Sequence, residues 1–242
     1  MAGQTGTIGT HSINDLFYVS DIDVGVPEFV PNLIDRLGGG AYVNGMRVGT
    51  ADITMRLVVL PNVDVRQAVS TLLSWLDVGT PQWMAISRDE GRRRRVVATG
   101  APTIEDTEYE DVLTLELLQV DPYLYGTSRS VTVTSTYTTT ITVGGDAATA
   151  PSIVSTNATR RAADNLWGVI ADGSTSALVK LPTALQTAVS IDCDAHTVTV
   201  GNDTAALTLE SDWPELAPGN HTIVIGAGGG TATVTWVERW HR

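Results

Sequence analysis

The segment Val112–Gly126, VLTLELLQVDPYLYG, constrains the fold of this chain more than any other. Every second residue from Leu113 to Leu117 is leucine, with polar residues between them, which predicts a strand with one buried face. A proline then follows at Pro122, and its fixed φ and missing N–H force the strand to end or to leave its sheet. We therefore predict an interdomain joint formed by Asp121, Pro122, Tyr123, Tyr125 and Gly126.

The composition on either side of this segment predicts two mainly β domains. The chain has 242 residues, enough for one large or two small cores. Residues 1–126 are predicted to form an α+β domain, with an extended arm or long hairpin at about 16–40. Residues 127–242 are rich in Thr, Val, Ala and Gly and are predicted to form an all-β sandwich.

The first domain has clear local signals. Asn44-Gly45 predicts a tight hairpin turn, and the alternation over Ile53–Val59 predicts a strand. The apolar residues between Val65 and Leu76 recur at helical spacing, which predicts one amphipathic helix. Asp89-Glu90-Gly91 predicts a second tight turn. The remaining predicted strands of this domain are Gln82–Arg88, Arg92–Ala98 and Tyr109–Val120.

The second domain is predicted to contain many short strands separated by Gly, Asn and Asp turns, a pattern typical of an antiparallel sandwich. These strands are Ser130–Thr136, Thr138–Val143, Ser152–Ser155, Trp167–Ala171, Ala177–Lys180, Ala188–Asp192, Thr197–Val200, Ala206–Leu209, His221–Ile225 and Ala232–Arg239.

The charge of −12 argues against binding nucleic acid through the overall electrostatic field, and suits a channel wall past which DNA slides. The one basic run is Arg92, Arg93, Arg94 and Arg95. Its arginines either face solvent or meet carboxylates of an adjacent subunit, for which the guanidinium is well suited. The four are therefore candidate subunit-interface residues.

No catalytic residue, metal site or cofactor site is predicted. The histidines are far apart in sequence, and no nucleophile motif is present. Cys193, between Asp192 and Asp194, is interpreted as a small buried residue at a strand end. We also expect no signal peptide and no membrane span, so synthesis in the cytoplasm is expected.

Four tryptophans of the second domain leave two interpretations open. They could form a platform for stacking sugars, or they could be buried in the sandwich core or an interface, which is the commoner outcome. The tryptophans are Trp167, Trp213, Trp236 and Trp240.

Three further segments follow in a fixed order: Val189–Asp203, Ser211–Ile225 (SDWPELAPGNHTIVI) and Thr233–Trp240. Together with DPYLYG they resemble the distal tail proteins of long-tailed phages and related prophage particles. The resemblance covers about 41–240. Its signature residues in the sandwich are Trp213, Leu216, Pro218, Gly219, Asn220, Ile223, Arg239 and Trp240.

The resemblance implies a structural, non-enzymatic protein of the virion tail tip. Its first domain would be split-barrel-like and would form a homohexameric ring that continues the tail tube and lets DNA pass. The ring would adjoin a tail-tip hub or tail-associated protein. The second domain would be a galectin-like sandwich that carries receptor-binding or other minor tail proteins. The 16–40 arm would clasp a neighbouring subunit as a belt. The alternative is a carbohydrate-binding adhesion module that uses the sandwich.

Overall fold

The computed structural model divides the chain into two compact units, Met1–Leu124 with His241–Arg242, and Tyr125–Trp240. We call them unit 1 and unit 2; the domain boundary at 126/127 stays a prediction. The structure describes residues 4–27, 29–35, 41–76, 79–106, 110–135, 137–172, 175–181, 187–209 and 211–241.

Unit 1 contains ten strands and one α-helix among its described residues. The elements in chain order are β1 (Gly6–Ile8), β2 (His11–Ser12), β3 (Phe17–Val24), β4 (Phe29–Asp35), β5 (Ala41–Val48), β6 (Ala51–Val59), α1 (Val65–Trp75), β7 (Gln82–Ile86), β8 (Arg93–Ala98), β9 (Thr103–Asp106) and β10 (Asp111–Gln119).

Six segments of unit 1 close into a barrel. β8 pairs with β10, β10 with β6, and β6 with β3. On the other side β8 pairs with β7 and β7 with β1, while the bridge between Gln4, just before β1, and Val19 of β3 completes the circuit. Closure leaves fewer free strand edges.

The core of unit 1 lies inside this barrel and under the helix. Leu113, Leu115 and Leu117 of β10 point inward together with residues of β3 and β6. α1 begins at Asp64, whose carboxylate accepts a hydrogen bond from the Gln67 N–H at 2.9 Å, and Ala68 and Leu72 bury its apolar stripe in the same core. The predicted helix is confirmed.

The prediction that 16–40 forms an arm outside the core is wrong for β3. Phe17, Val19, Ile22 and Val24 are buried, but a bulge between Val19 and Asp21 shifts the alternation by one residue. The extra residue breaks the period of two by which a strand is recognised.

A hairpin of β4 and β5 forms a separate two-stranded sheet. The predicted turn at Asn44-Gly45 is wrong, because both residues lie inside β5, near a register shift opposite Leu33. The connection between the two strands, with Gly38–Gly40 of the predicted arm, lies outside the described residues.

Unit 2 is a sandwich of two antiparallel sheets. Its strands are β11 (Leu124–Thr134), β12 (Thr139–Val143), β13 (Ser152–Ala158), β14 (Leu166–Ala171), β15 (Thr175–Lys180), β16 (Thr187–Asp192), β17 (Thr197–Val200), β18 (Asp203–Ala205), β19 (Gly219–Ala227) and β20 (Thr231–Trp240). One sheet has the order β18-β17-β16-β13-β20-β11, and the other has the order β12-β19-β14-β15.

The two sheets of unit 2 enclose one core that includes Trp167, Ile191 and Val234. The mainly β prediction is therefore confirmed. The predicted strand Ala206–Leu209 is wrong: the strand is β18, and beyond it Leu207 forms only a single bridge to Val179. None of the described helices is long and apolar enough to span a membrane.

Candidate functional site

The predicted joint begins with a turn that unit 1 holds in place. Gln119 is fully buried at the end of β10, and its Nε2 donates to the Asp121 carbonyl at 2.6 Å. The Asp121 carboxylate in turn accepts from the Tyr123 N–H at 3.1 Å, which closes a turn around Pro122. The Tyr123 ring lies 5.2 Å from the His241 ring, where the chain re-enters unit 1. These contacts connect the turn at 121–123 to β10 and to the His241 ring.

Tyr125 and Gly126 belong to β11 and do not form a loop. Gly126 does not serve a turn; the absence of a side chain at this position makes room for Trp240. A Cβ at this position would lie 2.4 Å from Cζ3 of Trp240, on the neighbouring strand β20. The glycine thus allows the indole to pack directly on the β11 backbone.

The arginine run does not act as one group, because Arg94 is buried and only 1% exposed. Its Nη2 and Nε donate to the two carboxylate oxygens of Asp89 at 2.6 and 2.8 Å, and its Nη1 donates to Gln119 Oε1 at 3.1 Å. Arg94 is therefore not available to another subunit, which corrects its assignment as an interface residue. Asp89 belongs to the predicted Asp89–Gly91 turn, which is confirmed by the positive φ of Glu90 and Gly91.

Arg93 and Arg95 point away from the core and flank one indole ring. The Arg93 guanidinium carbon lies 4.2 Å from the Trp83 ring centroid, and that of Arg95 lies 5.9 Å away. A guanidinium group is attracted to the face of an indole ring, so these contacts favour the observed positions of the two arginine side chains. We call Trp83, Arg93 and Arg95 the arginine ladder. Arg92 precedes β8, and its N–H donates to the Asp89 carbonyl.

Three signature residues of the sandwich, Trp213, Leu216 and Pro218, lie in a strap, residues 211–218, between β18 and β19. Leu216 is fully buried, and its backbone exchanges two hydrogen bonds with Thr149 at 2.8 and 2.9 Å. Trp213 stacks on His196 with ring centroids 4.7 Å apart. The strap thus covers the sandwich core, although the strap itself makes few β-sheet hydrogen bonds.

His221 fastens the end of this strap to the turn after β14. Its Nδ1 lies 2.5 Å from the Asp172 carboxylate and its Nε2 lies 2.6 Å from the Ala217 carbonyl. Both partners are acceptors, so only the imidazolium donates to both at once. Burial is the largest influence on the pKa of His221 and lowers it, but the Asp172 and Ala217 hydrogen bonds and the Asp172 charge together raise this pKa.

The same contacts exclude His221 from general-base chemistry, because a carbonyl occupies the ring nitrogen that would take a proton. The pKa of the Asp172 carboxyl is lowered, chiefly by the hydrogen bond from His221 and also by that from the Thr222 N–H. The remaining signature residues at this end have backbone and hydrogen-bonding roles. Gly219 has a φ of +130°, and the Asn220 side chain accepts from the Thr142 hydroxyl at 2.8 Å.

Arg239 at the end of β20 organises the loop between β12 and β13. Its carbonyl accepts from the Asp146 and Ala147 N–H groups, and its Nη2 donates to Asp194 at 2.8 Å. Gly145 has a φ of +96°, and a Cβ there would lie 2.0 Å from the Arg239 carbonyl oxygen. Only glycine fits this approach. The Arg239 guanidinium also lies 5.3 Å from the centroid of the Tyr125 ring.

Cys193 is buried as predicted, and desolvation together with the charges of Asp192 and Asp194 raises the pKa of its thiol to about 12. Asp192 accepts from the Asp194 and Ala195 N–H groups, which forms the turn at the strand end. Within the described ranges, no cluster of His, Cys, Asp and Glu could hold a metal ion.

The tryptophans do not form an exposed platform. Trp167 is fully buried with its Nε1 donating to the Gly229 carbonyl at 3.0 Å, and Trp236 is 5% exposed. Trp213 packs on the core from its edge, and Trp240 covers Gly126. Burial in the core, the commoner outcome weighed above, is confirmed for Trp167 and Trp236.

Sequence patterns did not reveal several residues that the structure brings together. Asp89 and Gln119 bind Arg94 from 5 and 25 positions away in sequence. Asp172 binds His221, the residue after the signature residue Asn220, from 49 positions away. Asp89 had only a turn signal, and neither Gln119 nor Asp172 lies in a recognisable motif.

Comparison with known proteins agrees with this architecture. Residues 144–240 match the family model described as the C-terminal domain of the siphovirus-type tail component. A search of curated protein sequences finds no match. The crystal structure of the SPP1 Dit protein (gp 19.1) superposes with a TM-score of 0.74 at 19% identity, covering 98% of each chain. A chain of the phage p2 baseplate, in its activated conformation with Sr, gives a TM-score of 0.49 at 8% identity, covering 96% of this chain and 97% of that one.

The sequence match lies within unit 2, whereas the structural match to SPP1 Dit extends over both units. At 19% identity, that structural match shows a shared fold. Residues 144–240 thus match the C-terminal domain of the siphovirus-type tail component, and the whole chain has the fold of the SPP1 Dit protein, which confirms the resemblance to distal tail proteins.

Proposed function

We propose that this protein is a structural hub of a phage tail tip. Unit 1 forms a homohexameric ring between the tail tube protein and the tail-tip apparatus, and unit 2 carries receptor-binding or other minor tail proteins. The observation that carries this proposal is the match over 98% of both chains to SPP1 Dit, described with its structure as a paradigm of the hub adsorption apparatus in phages that infect Gram-positive bacteria.

The β4–β5 hairpin supports the ring. A two-stranded hairpin is at best marginally stable by itself in water. Among the described residues, β4 and β5 pair only with each other. A neighbouring subunit would supply the surface that stabilises this hairpin. The belt expected at 16–40 is thus proposed to be the hairpin at 29–48, since β3 is part of the barrel.

Passage of DNA through the ring is consistent with the net charge of −12. A strongly acidic wall repels the phosphate backbone, so DNA would move through without being retained. DNA is therefore a molecule in transit and not a bound ligand. The protein would be made in the host cytoplasm and would act in the virion.

The joint is proposed to fix how unit 2 leaves the ring. The Gln119–Asp121–Tyr123 hydrogen bonds make the chain rigid just before unit 2 begins. Pro122→Gly should loosen the connection while both units keep their folds. Small-angle scattering of the full chain, together with thermal unfolding, would test this; loss of either fold would contradict it.

Solution mass and imaging test the ring itself. Light scattering of the purified chain should give six times the mass of one subunit, and negative-stain images should show a ring with a central hole. Antibodies against the chain should label the tail tip of virions. A strict monomer that is absent from virions would refute the proposal.

Carbohydrate binding remains the alternative, and it has less support because Trp167 and Trp236 are buried and therefore cannot stack on a sugar. A glycan array probed with the full chain separates the two functions, because a hub needs no glycan affinity. We propose no enzymatic role and no cofactor.

A further inference from the structure

The outer surface of the barrel in unit 1 is acidic on one side. Outward residues of β3, β6 and β10 lie in one row, in which Asp23 is opposite Thr54 and Thr54 is opposite Glu116. Asp52 is two residues from Thr54 on the same side of β6. We call this surface the acidic face; its charged residues are Asp21, Asp23, Asp52, Glu105, Glu116 and the cation Arg56. A second cation, Arg88, lies beside it and donates to the Ile22 carbonyl of β3 at 3.2 Å.

The arginine ladder lies on β7 and β8 of the same barrel, and β8 pairs with β10, the strand that carries Glu116. Around the circuit β8, β10, β6, β3, β1 and β7, strand β7 is three places from β6, and β8 is three places from β3. Side chains of the ladder alternate with the buried residues Arg94 and Val96, so they point outward. Arg93 and Arg95 are thus three strands away from Asp23 of β3 but only one strand away from Glu116 of β10.

Most of these charges form no ion pair among the described residues. Across the described ranges, no carboxylate lies within ion-pair distance of Arg93 or Arg95, and no cation lies within that distance of Asp23, Asp52 or Glu116. Arg56 pairs with Glu105 at 3.4 Å. Neighbouring carboxylates on adjacent strands repel each other, so a cation from outside the chain would relieve this cost.

A ring of identical subunits needs two different surfaces on each subunit, because its contacts join head to tail. We propose that the acidic face of one copy binds the arginine ladder of the next copy, an inference that rests on the proposed ring. Arginine forms bidentate hydrogen bonds with carboxylates, and stacking on Trp83 preorders both guanidinium groups. The contact would be repeated at every subunit boundary.

Charge reversal on the full chain tests this pairing. The ladder variant carries Arg93→Glu and Arg95→Glu, and the face variant carries Asp23→Arg and Glu116→Arg. Arg66→Glu, exposed on α1 and outside both surfaces, is the matched control. Each reversed variant alone should lose the ring, with at least a tenfold rise in the dissociation constant, while the control keeps it.

Mixing the two reversed variants in equal amounts should restore rings in which they alternate, because each boundary then joins opposite charges. Native mass spectrometry distinguishes such mixed rings from single-variant ones. A variant that fails to fold is replaced by the neutral pair Arg93→Gln and Arg95→Gln, which should weaken the ring and reduce its sensitivity to salt.

A monomeric wild type refutes the proposed ring itself. A hexameric wild type whose reversed variants also form rings leaves the ring intact and overturns the pairing. Loss of both variant rings without recovery on mixing also overturns it, because the two surfaces are then not each other's partners.

Discussion

The Arg94 guanidinium and the Asp89 carboxylate form a two-pronged ion pair inside unit 1, with Nη2 2.6 Å from Oδ1 and Nε 2.8 Å from Oδ2. Their side chains are 1% and 6% exposed. Gln119 connects this ion pair to the segment after β10, because its Oε1 accepts from Arg94 and its Nε2 donates to the Asp121 carbonyl. A charge pair this deep stabilises the fold only while both partners are present.

Arg94→Ala should lower the free energy of unfolding by about 3–5 kcal/mol, because it leaves the Asp89 carboxylate buried without its cation. Arg95→Ala, at the exposed next position, should change it by less than about 0.5 kcal/mol. Urea unfolding measures both. Combining Arg94→Met with Asp89→Ala should cost less than the sum of the two single changes; additive losses would show that the pair is not coupled.

Gly145→Ala should destabilise unit 2 by about 2–5 kcal/mol, since the new methyl group adds overlap to an unfavourable φ. Its Cβ would lie 2.0 Å from the Arg239 carbonyl oxygen at a φ of +96°. Gly201→Ala is the control, with a φ of +64° and nothing within 4 Å, and should cost only about 1–2 kcal/mol. Equal losses of melting temperature in the two variants would contradict the close approach at Gly145.

Unit 2 should be more stable at mildly acidic than at mildly alkaline pH. Since the folded pKa of His221 is raised above the ordinary value, its contribution is complete below about pH 6.5 and is lost as the pH rises through the folded pKa. The lowered pKa of Asp172 acts at the other end, where stability falls as the pH drops through the folded pKa of that carboxyl.

Urea titrations between about pH 5 and pH 9 measure this dependence. His221→Gln should flatten the loss of stability on the alkaline side. His196→Gln removes an imidazole that stacks on Trp213, and this variant should keep the wild-type slope. An unchanged slope in His221→Gln would mean that the Asp172 contact carries no pH dependence.

Cys193 should resist alkylation in the folded protein. Burial raises the pKa of its thiol to about 12, so the reactive thiolate is scarce near neutral pH. Iodoacetamide treatment followed by mass measurement should find the native chain unlabelled and the urea-unfolded chain fully labelled. Rapid labelling of the native chain would contradict the burial.

Sequence patterns predicted the elements whose signals are local. The helix follows from the stripe between Val65 and Leu76, and the turn at Asp89–Gly91 follows from its glycine and acidic residues. β3 was missed because its bulge at Ser20 interrupts the alternation of buried and exposed residues. Asn44-Gly45 was wrongly predicted as a hairpin turn because the same residue types also occur at bulges within a strand.

The candidate site was less predictable, since its contacts join residues that are distant in sequence. No sequence signal near Arg94 predicts that Gln119 accepts a hydrogen bond from its guanidinium. Likewise, no signal near His221 predicts its contact with Asp172. A run of like charges also conceals a buried member, because burial depends on which face of the strand each arginine occupies. Only the three-dimensional pairing separates Arg94 from Arg93 and Arg95.

The chain leaves unit 1 after Leu124 along β11 and returns to it at His241 after β20, and these two strands are neighbours in the same sheet. Unit 2 is therefore an inserted cassette that begins and ends with two adjacent strands, and Gly126 and Trp240 lie side by side near its two ends. A different module could be grafted there if it supplied two neighbouring strands at its own ends. Evolution could exchange the cassette without rebuilding the barrel.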